Sequence, residues 1–165
     1  MKIGVVYYSR TGNTRYAAKL LGEKLRENNI DVDLLEIEAV KKPGFFKVGW
    51  AAMRQLDLPI KNTDYDLKEY DVIVAGVPVW ISRPAPFIKT FMNRAKNVKG
   101  KKGAVFVTGA NNPSKQSKAI KIVRSVLEKN GVKPLDDSLA LKMKKEKIKD
   151  GKQNIDDFIE VLLPK

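Results

Sequence analysis

The sequence predicts an α/β fold, a five-stranded parallel sheet with helices covering both faces. Three observations carry that prediction. Short apolar runs alternate along the chain with segments whose apolar residues recur at helical spacing. The first run, Ile3-Gly4-Val5-Val6-Tyr7-Tyr8, is apolar throughout, as a strand buried on both faces must be. A hydroxyl- and amide-rich segment, Ser9-Arg10-Thr11-Gly12-Asn13-Thr14, lies between that run and the first helical pattern. A parallel sheet presents its ligand-binding loops at that position.

Each element has its own warrant. Lys2–Tyr8 is the first strand. Tyr16, Ala17, Leu20, Leu21 and Leu25 then share one helical face, and Asn28-Asn29 ends that helix. Val32–Ile37 and Val72–Val77 are the second and third strands. Helical spacing of Phe87, Ile88, Phe91, Met92 and Ala95 predicts a helix from Pro84 to Ala95, with Pro84 and Pro86 in its first turn. Ala104–Val107 is the fourth strand. Ile120, Val123, Val126 and Leu127 mark a helix closed by Asn130-Gly131. Ser138–Leu141 is a weak fifth strand, and Ile155, Phe158, Ile159, Leu162 and Leu163 form a last amphipathic helix. Residues 41–61 interrupt the alternation. Phe45, Phe46, Gly49, Trp50, Met53 and Leu56 have helical spacing there, which reads as an extra helix on the sheet edge or as a flap or dimer contact. Without repeats, low-complexity tracts or a linker, residues 1–165 are expected to form a single domain.

Composition removes whole classes of chemistry. Cysteine and histidine are absent, so thiolate nucleophiles, disulfides, iron–sulfur ligation and histidine acid–base catalysis are excluded. No metal site is expected, and no side chain stands out as catalytic. Redox chemistry in such a chain needs a bound organic cofactor. No apolar run approaches the ~18 residues of a membrane span, and the N-terminus carries no signal-peptide pattern, so a cytoplasmic location is expected.

Three loops leave the C-terminal ends of the strands: Ser9–Thr14, Pro78-Val79-Trp80-Ile81-Ser82-Arg83, and Thr108-Gly109-Ala110-Asn111-Asn112-Pro113. The first suits a phosphate. It opens a helix whose N-terminal N–H groups and dipole favour an anion, its Ser and Thr hydroxyls can donate, and Gly12 permits close backbone approach. The second loop adds an aromatic surface, and the third adds backbone amides. The P-loop pattern G-x-x-x-x-G-K-[ST] is absent, as is the dinucleotide pattern G-x-G-x-x-G after the first strand.

These residues resemble a known family. Ser9–Thr14 is similar to the [ST]-x-T-G-N-T phosphate signature of flavodoxins, and Gly76-Val77-Pro78-Val79-Trp80 with Arg83-Pro84-Ala85-Pro86 resembles their second flavin loop. The resemblance implies a flavodoxin-like three-layer α/β/α sandwich with strand order 2-1-3-4-5, and FMN as cofactor. It implies that Ser9, Thr11, Asn13 and Thr14, with the Arg10 and Gly12 backbones, hold the phosphate. Trp80 would stack on the isoalloxazine, Pro78, Val79, Ile81 and Ser82 would line its edge, and Thr108, Gly109 and Asn111 would meet its pyrimidine side. The chain departs from the family in three ways. Ile81 stands where flavodoxins commonly have glycine, and a β-branched residue reaches positive φ at a cost, which favours two-electron over one-electron behaviour. The third loop lacks a second stacking aromatic, a place that Trp50 or Phe45 would fill. The net charge is +13, whereas flavodoxins are typically acidic.

The expected function is an FMN-binding electron-transfer flavoprotein or a small flavin-dependent oxidoreductase, linked to quinones or NAD(P)H. Its partner would be a small-molecule acceptor or a redox protein with an acidic surface. The alternative is a basic polyanion-binding or regulatory module on the same fold. The densest basic stretch, Lys142–Lys152, has no interleaved aromatics and reads as a solvated surface rather than a nucleic-acid site.

Overall fold

A computed structural model describes residues 1–40, 54, 56–61 and 65–164. In chain order the elements are β1 (Lys2–Tyr7), α1 (Asn13–Glu27), β2 (Asp31–Glu36), β3 (Val72–Trp80), β4 (Arg83–Pro84), α2 (Phe87–Arg94), β5 (Lys102–Gly109), α3 (Ser117–Lys129), β6 (Lys133–Lys144), β7 (Lys147–Asp150) and α4 (Ile155–Leu162). Short 3₁₀ turns, Pro113–Gln116 and Lys152–Asn154, precede α3 and α4.

The sheet runs β2-β1-β3-β5-β6-β7, with β4 paired to β3. The first five strands of that order are mutually parallel, while β4 and β7 are antiparallel additions. Counting only the long strands, this is the 2-1-3-4-5 order expected above. Alternate side chains of each strand face opposite ways. Val6 and Tyr8 therefore pack under α2 and α3, while Ile3, Val5 and Tyr7 pack under α1 and α4. The fold is flavodoxin-like, with helices on both faces. Strand order reverses between β1 and β3, so loops at the C-terminal ends of those strands frame a crevice.

Several element boundaries differ from expectation. The third strand runs on to Trp80 and the fourth long strand from Lys102 to Gly109, so Pro78, Val79, Trp80, Thr108 and Gly109 lie on strand ends rather than in the loops that follow. The helix predicted from Pro84 begins at Phe87, because Pro84 pairs with Val79 across a two-residue turn and Pro86 becomes the helix N-cap. The weak fifth strand is longer, Lys133–Lys144, and continues through a tight turn at Lys145-Glu146 into β7. Both turn residues have positive φ (49° and 55°), the type I′ pattern that suits a hairpin. The Lys-rich stretch is thus a hairpin, and Lys144, Lys145, Lys147, Lys149 and Lys152 are exposed as expected. The predicted helix of residues 41–61 lies mostly outside the described residues, with Phe45, Phe46, Gly49, Trp50 and Met53 among those not described. Of its end, Ile60 is buried and bridges Ala39, and the Leu58 N–H donates to Thr90 Oγ1 at 3.1 Å.

Candidate functional site

The C-terminal ends of β1, β3 and β5 are tied directly to one another. The Tyr8 N–H donates to the Gly76 carbonyl at 3.1 Å. Pro78 on β3 is in register with Thr108 on β5. Thr108 Oγ1 shares a buried 2.8 Å hydrogen bond with Thr14 Oγ1. The three predicted loops therefore meet in one place.

In the first loop, Ser9 and Arg10 are half-buried, Thr11 is exposed, and Gly12 is buried. Gly12 has φ 88°, a left-handed conformation available to glycine, and caps α1 without any side-chain cap. The first backbone bond across that end runs from the Tyr16 N–H to the Gly12 carbonyl at 2.8 Å. The N–H groups of Asn13, Thr14 and Arg15 precede it and face out of the helix end. Ser9 Oγ is buried with no hydrogen-bond partner. An orphaned hydroxyl beside open helix N–H groups is a donor set without its acceptor. Thr14 is buried behind the loop. Its side chain is 1% exposed and its hydroxyl is already paired with Thr108, so it joins α1 to β5. Asn13 Oδ1 accepts the Glu146 N–H at 2.8 Å, which fixes the β6–β7 turn against the loop.

In the second loop, Pro78, Val79 and Trp80 are half-buried. The Trp80 ring meets Tyr8 edge-on, with centroids 6.1 Å apart at 88°, and Tyr8 packs on Phe87 at 4.1 Å. Trp80 is thus anchored along one edge at the strand end and is not a core tryptophan. Burial pushes the Tyr8 phenol upward, against an opposing effect from Arg10. Ile81 and Ser82 form the β3–β4 turn at φ 49° and 64°. Ile81 adopts the positive φ that its branching was expected to oppose, because a two-residue hairpin turn requires it. Its side chain is 79% exposed. In the third loop Thr108 is buried, Gly109 half-buried and Asn111 exposed.

Some supporting residues escaped the sequence reading. Gln116 is fully buried, and its amide donates to the carbonyls of Asn111 (3.0 Å) and Leu141 (3.2 Å), which pins the third loop. One of only three glutamines, placed just after that loop, was the available signal. Arg15 grips Glu36 through two hydrogen bonds of 2.9 and 2.7 Å, which fixes the first turn of α1 to β2. Tyr7 also donates to Glu36, and burial, then Glu36, raises its phenol to about 12.

The model of the NADPH-dependent FMN reductase family matches residues 1–145. The chain belongs to this flavodoxin-like, FMN-binding family. Among proteins similar to this chain, a NAD(P)H dehydrogenase (quinone) of Caulobacter vibrioides is 29% identical over 99 residues, covering 57% of this chain and 46% of that protein. A flavodoxin of Clostridium saccharobutylicum is 29% identical over 111 residues, 66% of this chain and 56% of that one. The chain thus spans about half the length of the curated relatives it matches. A flavoprotein structure from Bacteroides eggerthii superposes with a TM-score of 0.73 at 22% identity, covering 99% of both chains. A Lactobacillus acidophilus flavoprotein in complex with FMN gives 0.64 at 23% identity, covering 94% of this chain and 97% of that one. No helix among the described residues is long and apolar enough to cross a membrane.

Proposed function

We propose that this chain is a flavin-dependent oxidoreductase that carries FMN across the joined ends of β1, β3 and β5 and takes electrons from a reduced nicotinamide. The observation that carries this reading is the orphaned Ser9 hydroxyl beside the uncapped N-terminus of α1, with Trp80 presented on the neighbouring strand. FMN would supply a ring that accepts a hydride and returns electrons singly or in pairs.

The residues present fit that group. Ser9 and Thr11 would donate to the phosphate with the N–H groups of residues 10–14, and the helix dipole favours the same charge. Asn13 retains its amide N–H₂ for this purpose, because the Glu146 N–H uses only its carbonyl oxygen. Thr14 would contribute its N–H while its hydroxyl holds Thr108 in place. Trp80 would lie against the ring, Pro78, Val79, Ile81 and Ser82 along its edge, and Thr108, Gly109 and Asn111 at its pyrimidine side. Tyr8 orients the indole, and Gln116 fixes the loop that meets the pyrimidine.

Membership in the NADPH-dependent FMN reductases and the likeness to a quinone dehydrogenase support nicotinamide as donor and a quinone-type or protein acceptor. We read residues 1–165 as one FMN-binding domain working in the cytoplasm. Anaerobic mixing of the FMN-loaded protein with NADPH and with NADH tests the reading. Bleaching of the flavin band on addition of either supports it; a flavin that stays oxidised with both makes the protein a carrier fed by another protein. The competing reading rests on the +13 charge. A chain that takes up no FMN yet binds an oligonucleotide with steep salt dependence would be a polyanion-binding module.

A further inference from the structure

A groove between α2 and α3 has no part in the flavin site. Its inner end is apolar, formed by Pro84, Pro86, Ile88, Ile122 and Val126. Its outer end, of about 290 Å³, shares Ile122 and Val126 with the inner one and is rimmed by Lys89, Lys118, Lys121 and Lys129. Helical spacing sets Lys118, Ile122, Ser125 and Lys129 in one stripe along α3. Lys118, Lys121 and Lys129 are exposed and make no ion pair among the described residues, whereas Lys89 reaches Asp57 at 3.3 Å.

The arrangement runs against local stability. Lys118 sits in the first turn of α3, where the dipole disfavours a cation and no acidic residue offsets it. Lys121, one turn on, repels it. A local conflict of this kind, between lysines with no ion pair among the described residues, is expected where charge serves binding.

We propose that this groove docks an acidic, amphipathic segment of a redox partner protein. The apolar inner end would take its hydrophobic side chains, and the lysine rim its carboxylates. Nucleic acid is the poorer fit: neither end of the groove is lined by an aromatic for base stacking or by an arginine. The groove also has a direct route to the flavin loop. Pro84 is the second residue after the Ile81-Ser82 turn, and β4 pairs Arg83 with Trp80. A segment seated there abuts the hairpin that carries Trp80. The redox meaning of this contact rests on the function proposed above; the docking itself does not.

The test uses the FMN-loaded full chain and a fluorescein-labelled helical peptide with glutamates on one face and leucines on the other. A K118E/K121E/K129E variant is compared with K144E/K147E/K149E, which makes the same change in net charge on the β6–β7 hairpin. The proposal predicts saturable, salt-sensitive peptide binding to wild type, with amide NMR shifts at Ile122, Ser125 and Val126. It predicts at least about tenfold weaker binding to the groove variant and near-wild-type binding to the hairpin variant. Both variants should keep full FMN uptake and far-UV circular dichroism, which reports separately on the flavin reading and the fold. Absence of peptide binding to wild type, equal weakening by both variants, or tighter binding at the same amides by an oligonucleotide of equal charge would each overturn the proposal.

Discussion

Ile81 and Ser82 adopt a backbone conformation that L-residues avoid and β-branched ones avoid most, and Ile81 recovers little of that cost through burial. Strain persisting at an exposed position is a mark of a functional loop. Replacing Ile81 by asparagine, which tolerates positive φ, should raise stability by about 0.5–1 kcal/mol in urea unfolding. A loss of stability would mean that the isoleucine packs on something other than solvent. The hydroxyl pair Thr14–Thr108 makes the opposite case. It is buried and links α1 to β5, so Thr108→Val leaves the Thr14 hydroxyl orphaned and should cost about 1–3 kcal/mol in the same experiment. A Thr14→Val/Thr108→Val double variant should recover part of that loss.

At the level of elements, Gly76 on β3 is in register with Phe106 on β5, and the missing side chain leaves room for the ring: a Cβ there would run into it. Gly76→Ala should therefore destabilise by about 1–3 kcal/mol, and Phe106→Leu in the same chain should relieve part of it, a coupling that a double-mutant cycle measures. The pairing of β1 with β2 has an electrostatic component. Asp33 Oδ2 accepts from Lys2 Nζ at 2.8 Å and from the Tyr70 hydroxyl at 2.9 Å, and these bonds, Lys2 first, hold its carboxyl below the ordinary 3.8. A lowered folded value means that the contribution is present above the unfolded pKa and is lost as pH falls through the folded one. Asp33→Asn should then be less stable than wild type at neutral pH by no more than about 1 kcal/mol, since the pair is partly exposed, and the difference should close in acid. Much of this level was legible in the sequence, because the central strands β1, β3 and β5 are buried on both faces and the helices carry apolar stripes. The two hairpins were not. Neither turn has the Asn-Gly or Asp-Gly that announces a type I′ geometry: Ile81-Ser82 and Lys145-Glu146 occupy it instead, and Pro84 read as a helix start when it closes a strand pair.

At the scale of the whole molecule, the joining of the three loops followed from strand order, but the division of labour within them did not. Thr14 reads as a phosphate ligand beside Thr11 in sequence. Only the register of Thr108 against Pro78 brings it a partner 94 residues away. The net charge of +13 sets the sign of the long-range field, although Glu36, Glu38 and Glu146 lie around the first loop. A positive field favours the more negative, reduced flavin, so the second electron should enter bound FMN at a less negative potential than in acidic flavodoxins, and added salt should narrow the gap. Potentiometric titration against an acidic flavodoxin checks this, and an equally low potential would refute the field argument. The central claim is that the turn after β1 grips the phosphate of FMN. Isothermal calorimetry of the apoprotein with FMN and with riboflavin, on wild type and on Ser9→Ala/Thr11→Ala, measures that grip. The account predicts that the double variant loses about a hundredfold or more in FMN affinity, as expected for two hydrogen bonds to a charged group, and binds riboflavin unchanged. FMN affinity equal in the two proteins, or no FMN uptake by wild type, would contradict it.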